Sequence, residues 1–84
     1  MVTNKLKSLL SLRGFAFADF ARKLGITPQS LQTKAKKDAY KIKDLIYFAE
    51  LTNTKLAFID NKGNAIITFD KEDIKKEPTS NLRK

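Results

Sequence analysis

Apolar residues follow two rhythms along this chain, a helical one to about residue 52 and a β-like one after it. Leu6, Leu9 and Leu10 stand at i, i+3 and i+4, the stripe of a first helix that Gly14 ends. Phe17, Phe20, Ala21 and Leu24 complete an i, i+3, i+4, i+7 template for a second. Gly25 stops it, since glycine enters the left-handed region without strain. Thr27 followed by Pro28 starts a third helix. The threonine hydroxyl can accept free N–H groups, and proline at the first helical position forfeits no hydrogen bond. Leu31 and Ala35 turn inward on that helix, which ends near Asp38. Ile42, Leu45, Ile46 and Ala49 repeat the template and predict a fourth helix to about Leu51.

From Lys55 the pattern changes. Two β-rich runs, Leu56–Ile59 and Ala65–Phe69, flank Asp60-Asn61-Lys62-Gly63-Asn64. A turn on Asn61-Lys62 with Gly63 left-handed predicts a hairpin with a three-residue loop and a bulge. Pairing Asp60 with Asn64 puts Leu56, Phe58 and Ile66 on one face and Ala57, Ile59, Ala65 and Ile67 on the other. Both faces are then apolar, and the helices of so small a protein can cover only one. The hairpin is therefore expected to meet a second subunit through Ala57, Ile59, Ala65, Ile67 and Phe69, by a face or by a strand edge. The alternative is that it wedges between the first helix and the tail. Residues 71–84 are charged, contain Pro78 and lack periodicity, so they read as a flexible tail with at most a turn of helix around Ile74. The expected organisation is one domain over 1–70, helices to about 52 and the hairpin at about 55–69, followed by that tail.

With 84 residues and 42% hydrophobic content, the chain suits a single small domain with a modest core. It contains no cysteine and no histidine. Disulfides, thiolate metal sites and cysteine nucleophiles are thereby excluded, and the usual neutral-pH general base is missing. No catalytic residue, metal site or cofactor is expected, no small-molecule ligand is predicted, and the protein does not read as an enzyme. No run approaches the roughly 20 apolar residues of a membrane span. The N-terminus does not read as a signal peptide, because Lys5 and Lys7 interrupt its apolar run. A cytoplasmic location without membrane contact is expected.

The net charge is +8, and its distribution matters more than its size. Residues 1–45 hold ten Lys/Arg against three acids, +7, whereas residues 46–84 hold seven against six, +1. The positive field belongs to the helical half, where it would attract a polyanion.

The spacing of Ala21, Gly25, Ile26 and Leu31 gives each residue a steric task. A small residue lies where two helices cross, a glycine makes the turn, and two apolar side chains anchor the following helix. Through "FARKLGITPQSLQTKAKKD" and "IKDLIYFAEL" the chain resembles the phage-repressor (Cro/repressor-like) helix-turn-helix family over roughly residues 4–51. The resemblance implies a mainly α fold: a four-helix repressor-like helix-turn-helix domain, here followed by a C-terminal β-hairpin in place of the usual fifth helix. It also implies a third helix in the major groove, a dimer, and control of transcription, of a phage or mobile-element type. Ala16 and Phe17 depart from the family's hydroxyl cap and phosphate-gripping glutamine, and Ala35 from a larger apolar residue.

The helix wheel selects the residues that would reach double-stranded DNA. Opposite Leu31 and Ala35 lie Gln29, Thr33, Lys36 and Lys37, flanked by Ser30 and Gln32. Gln29 leads as a base contact, because its amide can donate and accept together against adenine. Gln32 and Thr33 follow, and Pro28 could touch a thymine methyl. Ser30, Lys34, Lys36, Lys37, Lys41 and Lys43 are the expected phosphate contacts. Phe17, Phe20, Tyr47 and Phe48 read as core, while Phe15 and Tyr40 fit no stripe. Two other functions fit the sequence: a protein-interaction module such as an antitoxin or accessory factor, and non-specific nucleic-acid binding, RNA included.

Overall fold

The computed structural model describes residues 2–75. In chain order these form α1 (Val2–Leu12), α2 (Phe17–Leu24), α3 (Pro28–Lys37), α4 (Ile42–Leu51), β1 (Leu56–Ile59), β2 (Ala65–Phe69) and α5 (Lys71–Lys75). The protein is mainly helical with a C-terminal two-stranded antiparallel hairpin. Of the expected tail, Lys71–Lys75 are this short helix, and residues 76–84 lie outside the described residues.

Each helix stops for the local reason its sequence supplies. After α1, Gly14 adopts φ +82° and the Phe15 N–H reaches back to the Leu10 carbonyl at 2.8 Å. Gly25 at φ +74° turns the chain out of α2, and the Ile26 N–H returns to the Ala21 carbonyl at 3.1 Å. Two helices lack a hydroxyl cap and use an aspartate three residues on instead. Asp19 takes the Ala16 N–H at 2.7 Å, and Asp44 takes the Lys41 N–H at 2.9 Å. A carboxylate at this position also faces the positive end of the helix dipole.

Leu10, Phe20, Ala21, Leu31 and Phe48 are buried together where α1, α2, α3 and α4 converge. Phe20 is fully enclosed. Its ring meets Phe48 edge-on at 4.9 Å between centroids, and Phe17 edge-on and Tyr40 in a stack, each at 6.3 Å. Phe15 and Tyr40 thus pack against the core, as does Ile26. Tyr47, expected among them, is half-buried and outside that cluster. On α4 the inward face is Asp44, Ile46, Phe48 and Ala49, so Ile42 is 55% exposed rather than the start of the apolar stripe. Asp44 instead turns inward, where it caps its own helix and meets α3.

Two further polar ties join the helices. Thr3, buried on α1, lies 3.1 Å from the Ala35 carbonyl, 3.1 Å from Asp38 Oδ1 and 2.7 Å from the Tyr40 hydroxyl. It fastens the start of α1 to the end of α3. At the opposite side Glu50 of α4 pairs with Lys23 of α2 at 2.7 Å and with Lys71 of α5 at 2.9 Å.

The hairpin turn forms as expected. The Asp60 N–H meets the Asn64 carbonyl at 2.9 Å, and Gly63 adopts φ +90°. Asp60 Oδ1 accepts from the Lys62 and Asn64 amides at 2.9 and 3.0 Å, which locks the tip. Beyond the tip the register departs from expectation. Ile59 pairs with Ala65, but a bulge between Phe58 and Ile59 makes Phe58 pair with Ile67, Ala57 with Thr68 and Leu56 with Phe69. One extra residue in β2 moves every later side chain to the other face. Ile67 and Phe69 therefore share a face with Leu56 and Phe58, and the rings of Phe58 and Phe69 meet edge-on at 5.9 Å.

Phe20→Ala should cost about 3–5 kcal/mol, a large share of the roughly 5–15 kcal/mol available to a domain, as measured by urea unfolding. The Glu50 carboxyl is held below its ordinary range, first by Lys23 and then by Lys71. A carboxylate with a depressed folded pKa stabilises the fold above its unfolded pKa and loses that contribution as pH falls through the folded one. Glu50→Gln should therefore lower the melting temperature at neutral pH, and the gap should close on acidification from about pH 4.5 downward.

Candidate nucleic-acid interface

The α2–turn–α3 unit presents the outer side of α3. Gly25, Ile26 and Thr27 separate the two helices, and the Thr27 hydroxyl accepts the Ser30 N–H at 3.1 Å, the cap foreseen from Thr27-Pro28. Leu31 and Ala35 are buried on the inner side. Pro28, Gln29, Ser30, Gln32, Thr33, Lys36 and Lys37 are all exposed, so one surface carries every residue expected to touch a base edge.

The hydroxyls on that surface differ in what they have left to offer. Ser30 Oγ accepts from the Thr27 hydroxyl at 3.0 Å, which leaves its own O–H free to donate. Thr33 donates to the Gln29 carbonyl at 3.2 Å, so its hydroxyl keeps only acceptor capacity. Among the described residues Gln29 and Gln32 make no side-chain hydrogen bond in this structure that would have to be broken first.

The expected phosphate-binding lysines divide. Lys36, Lys37 and Lys41 are exposed and Lys43 is half-exposed. Among the described residues none of the four joins an ion pair. Lys34 is placed otherwise. Its ammonium lies 3.0 Å from Asp44 Oδ2, on a carboxylate whose side chain is 5% exposed. The wheel alone could not reveal this, because its inward aspartate comes from the next helix. Three further basic residues of the helical half are engaged. Arg22 is held by Asp19 and Lys23 by Glu50. The Lys7 ammonium lies 4.9 Å from the centre of the Phe17 ring, a cation–π contact worth about 0.5–1 kcal/mol at an exposed site.

The hairpin is a second surface. Phe58, Ile59, Ile66 and Ile67 are each more than half exposed. Among the described residues the helices therefore cover neither face near its tip. Leu56, Ala57 and Phe69, nearer its base, are partly covered. Residues Ala57, Ile59, Ala65, Ile67 and Phe69 do not form a single face as expected, because the bulge puts Ile67 and Phe69 with Phe58. Between α4, β2 and α5 lies a cleft of about 320 Å³ floored by Ile46, Ala49 and Phe69, away from the α3 surface.

No helix among the described residues is long and apolar enough to cross a membrane. Compared with protein-family models, characterised proteins and solved structures, the chain finds no match.

Removing the cap and removing a surface amide should have different consequences. Thr27→Ala is expected to cost about 1 kcal/mol of stability, whereas Gln29→Ala should stay within about 0.5 kcal/mol. Paired denaturation curves check both, and near-equal losses would show that Gln29 is structural.

Proposed function

We propose that this chain binds double-stranded DNA sequence-specifically, with α2 and α3 acting as a helix-turn-helix, and that it works as a dimeric transcriptional regulator rather than an enzyme. The observation that carries the reading is the outer side of α3: a continuous exposed row of amides, hydroxyls and lysines on a helix whose inner side is buried. A helix N-terminus carrying unengaged amides suits the major groove, where donor and acceptor patterns distinguish all four base pairs. Gln29 is the leading base contact, followed by Gln32, Thr33 and Pro28. Ser30, Lys36, Lys37, Lys41 and Lys43 supply phosphate contacts and a positive field.

The hairpin is the proposed dimer element. Residues 55–70 carry Lys55 and Lys62 against Asp60 and Asp70, so this segment is neutral within a chain of +8. A second copy can approach there without the repulsion it would meet at the helices. Phe58, Ile67 and Phe69 supply its apolar face, and a dimer reading successive major grooves needs its third helices about 34 Å apart, one turn of duplex.

A second reading, a protein-interaction module such as an antitoxin or accessory factor, draws support from the same exposed hairpin. Selection from a randomised duplex library at about 0.15 M salt distinguishes the two. Enrichment of a palindrome with half-sites one helical turn apart supports the regulator; no retained DNA, with a stoichiometric protein partner on co-purification, supports the module. Gln29→Ala should then lose about 1–3 kcal/mol of discrimination at one base pair. Ile67→Asp should sediment as a monomer at micromolar concentration while keeping its helical circular dichroism.

A further inference from the structure

We infer that Asp44 is a positioning residue that withholds Lys34 from the phosphate backbone, so that α3 meets DNA with one cation fewer than its sequence offers. This rests on the reading of α3 as the helix that faces DNA.

Lys34 belongs by sequence to a run of candidates with Lys36, Lys37, Lys41 and Lys43, but it is engaged differently from them. Asp44 Oδ2 receives both the Lys41 N–H at 2.9 Å and the Lys34 ammonium at 3.0 Å. With its side chain 5% exposed, this carboxylate has given up nearly all of its water. The ammonium of Lys34, on a side chain 26% exposed, is the cation that compensates it. Lys36 or Lys37 can trade solvent for a phosphate at little loss. Lys34 cannot, because leaving would strand a dehydrated carboxylate close to a polyanion. The same contact ties the last turn of α3 to the first turn of α4, while Thr3 holds the Ala35 carbonyl from α1. The C-terminal turn of α3 is thus fixed from two helices, and its N-terminal turns are left to the groove.

The consequence is selectivity. A phosphate contact adds affinity for every sequence alike and steepens the salt dependence by about 0.9 in log K against log salt. One withheld lysine lowers sequence-independent affinity roughly fivefold at 0.15 M salt without touching a base-reading side chain.

The test uses a mixed-sequence 20-base-pair duplex as probe, with anisotropy titrations over about 0.05–0.2 M KCl. Four full-length proteins are compared: wild type, Lys34→Met, Asp44→Asn and the double variant. Lys34→Met is expected to keep the wild-type slope, Asp44→Asn to steepen it by about 0.9, and the double variant to return to wild type. Asparagine retains an oxygen for the Lys41 N–H, so the helix cap survives. Should Lys34→Met alone not fold, the comparison of Asp44→Asn with the double variant still decides, since neither leaves a buried carboxylate unpaired.

A shallower slope in Lys34→Met would mean that Lys34 already touches phosphate, and would overturn the assignment. So would an unchanged slope in Asp44→Asn, or a steep slope that persists in the double variant and so belongs to the aspartate charge alone. Wild-type protein that binds no duplex at any salt fails the reading of α3 itself and takes this proposal with it. Binding with the wrong pattern of slopes removes only the role of Asp44.

Discussion

Everything in the helical half is arranged around the ring of Phe20. Four helices contribute to the enclosure in which it sits, and three other aromatic rings lie within 6.3 Å of it, centroid to centroid. A chain of this size hides only about 60–65% of its unfolded surface, and among the described residues this one cluster carries the task. The edge-on contact with Phe48 couples α2 to α4, and the stack with Tyr40 brings in the segment after α3. α3 itself contributes only Leu31 and Ala35 to the interior. Such a helix is held by few apolar contacts, and its last turn is fastened by polar ones as well.

Those fastenings have a common design. In each, one buried polar side chain makes more than one hydrogen bond and joins two helices. Asp44 caps α4 and pairs with α3; Thr3 sits in α1 and meets Ala35, Asp38 and Tyr40. The neutral hydrogen bonds of Thr3 contribute about 0.5–1.5 kcal/mol each net, whereas losing one partner of the buried Asp44–Lys34 pair costs more. Both hold the last turn of α3 in place.

The helices were legible in the sequence because each is written by a local code. Gly25, Thr27 and Pro28 act on their immediate neighbours, and the i, i+3, i+4, i+7 spacing needs no knowledge of the partner surface. The outer row of α3 was legible for the same reason, since a buried Leu31 and Ala35 dictate what is exposed. What could not be read depends on contacts distant in the chain or on a slip of one residue. Lys34 looks like its neighbours until Asp44, ten residues on, is placed beside it. Thr3 and Tyr40 carry no periodic signal, because they meet across 37 positions of the chain. Both strand bounds followed from composition, but the bulge at Phe58/Ile59 did not, and with it the sharing of hairpin faces changed. An alternation rule has no means of counting an unpaired residue.

The two ends of the described chain stand in opposite relation to the fold. Thr3, one residue after exposed Val2, already has its hydroxyl buried against the end of α3, whereas α5 follows the hairpin and packs on α4. A domain or tag joined ahead of Val2 would begin beside the joint between α3 and α4, where Asp38 holds a left-handed φ of 49° that few non-glycine residues adopt. A fusion there would load the hinge that aims the exposed helix. The same cargo attached after α5 would load an element that packs on α4 and pairs with it through Lys71–Glu50, rather than the joint between α3 and α4.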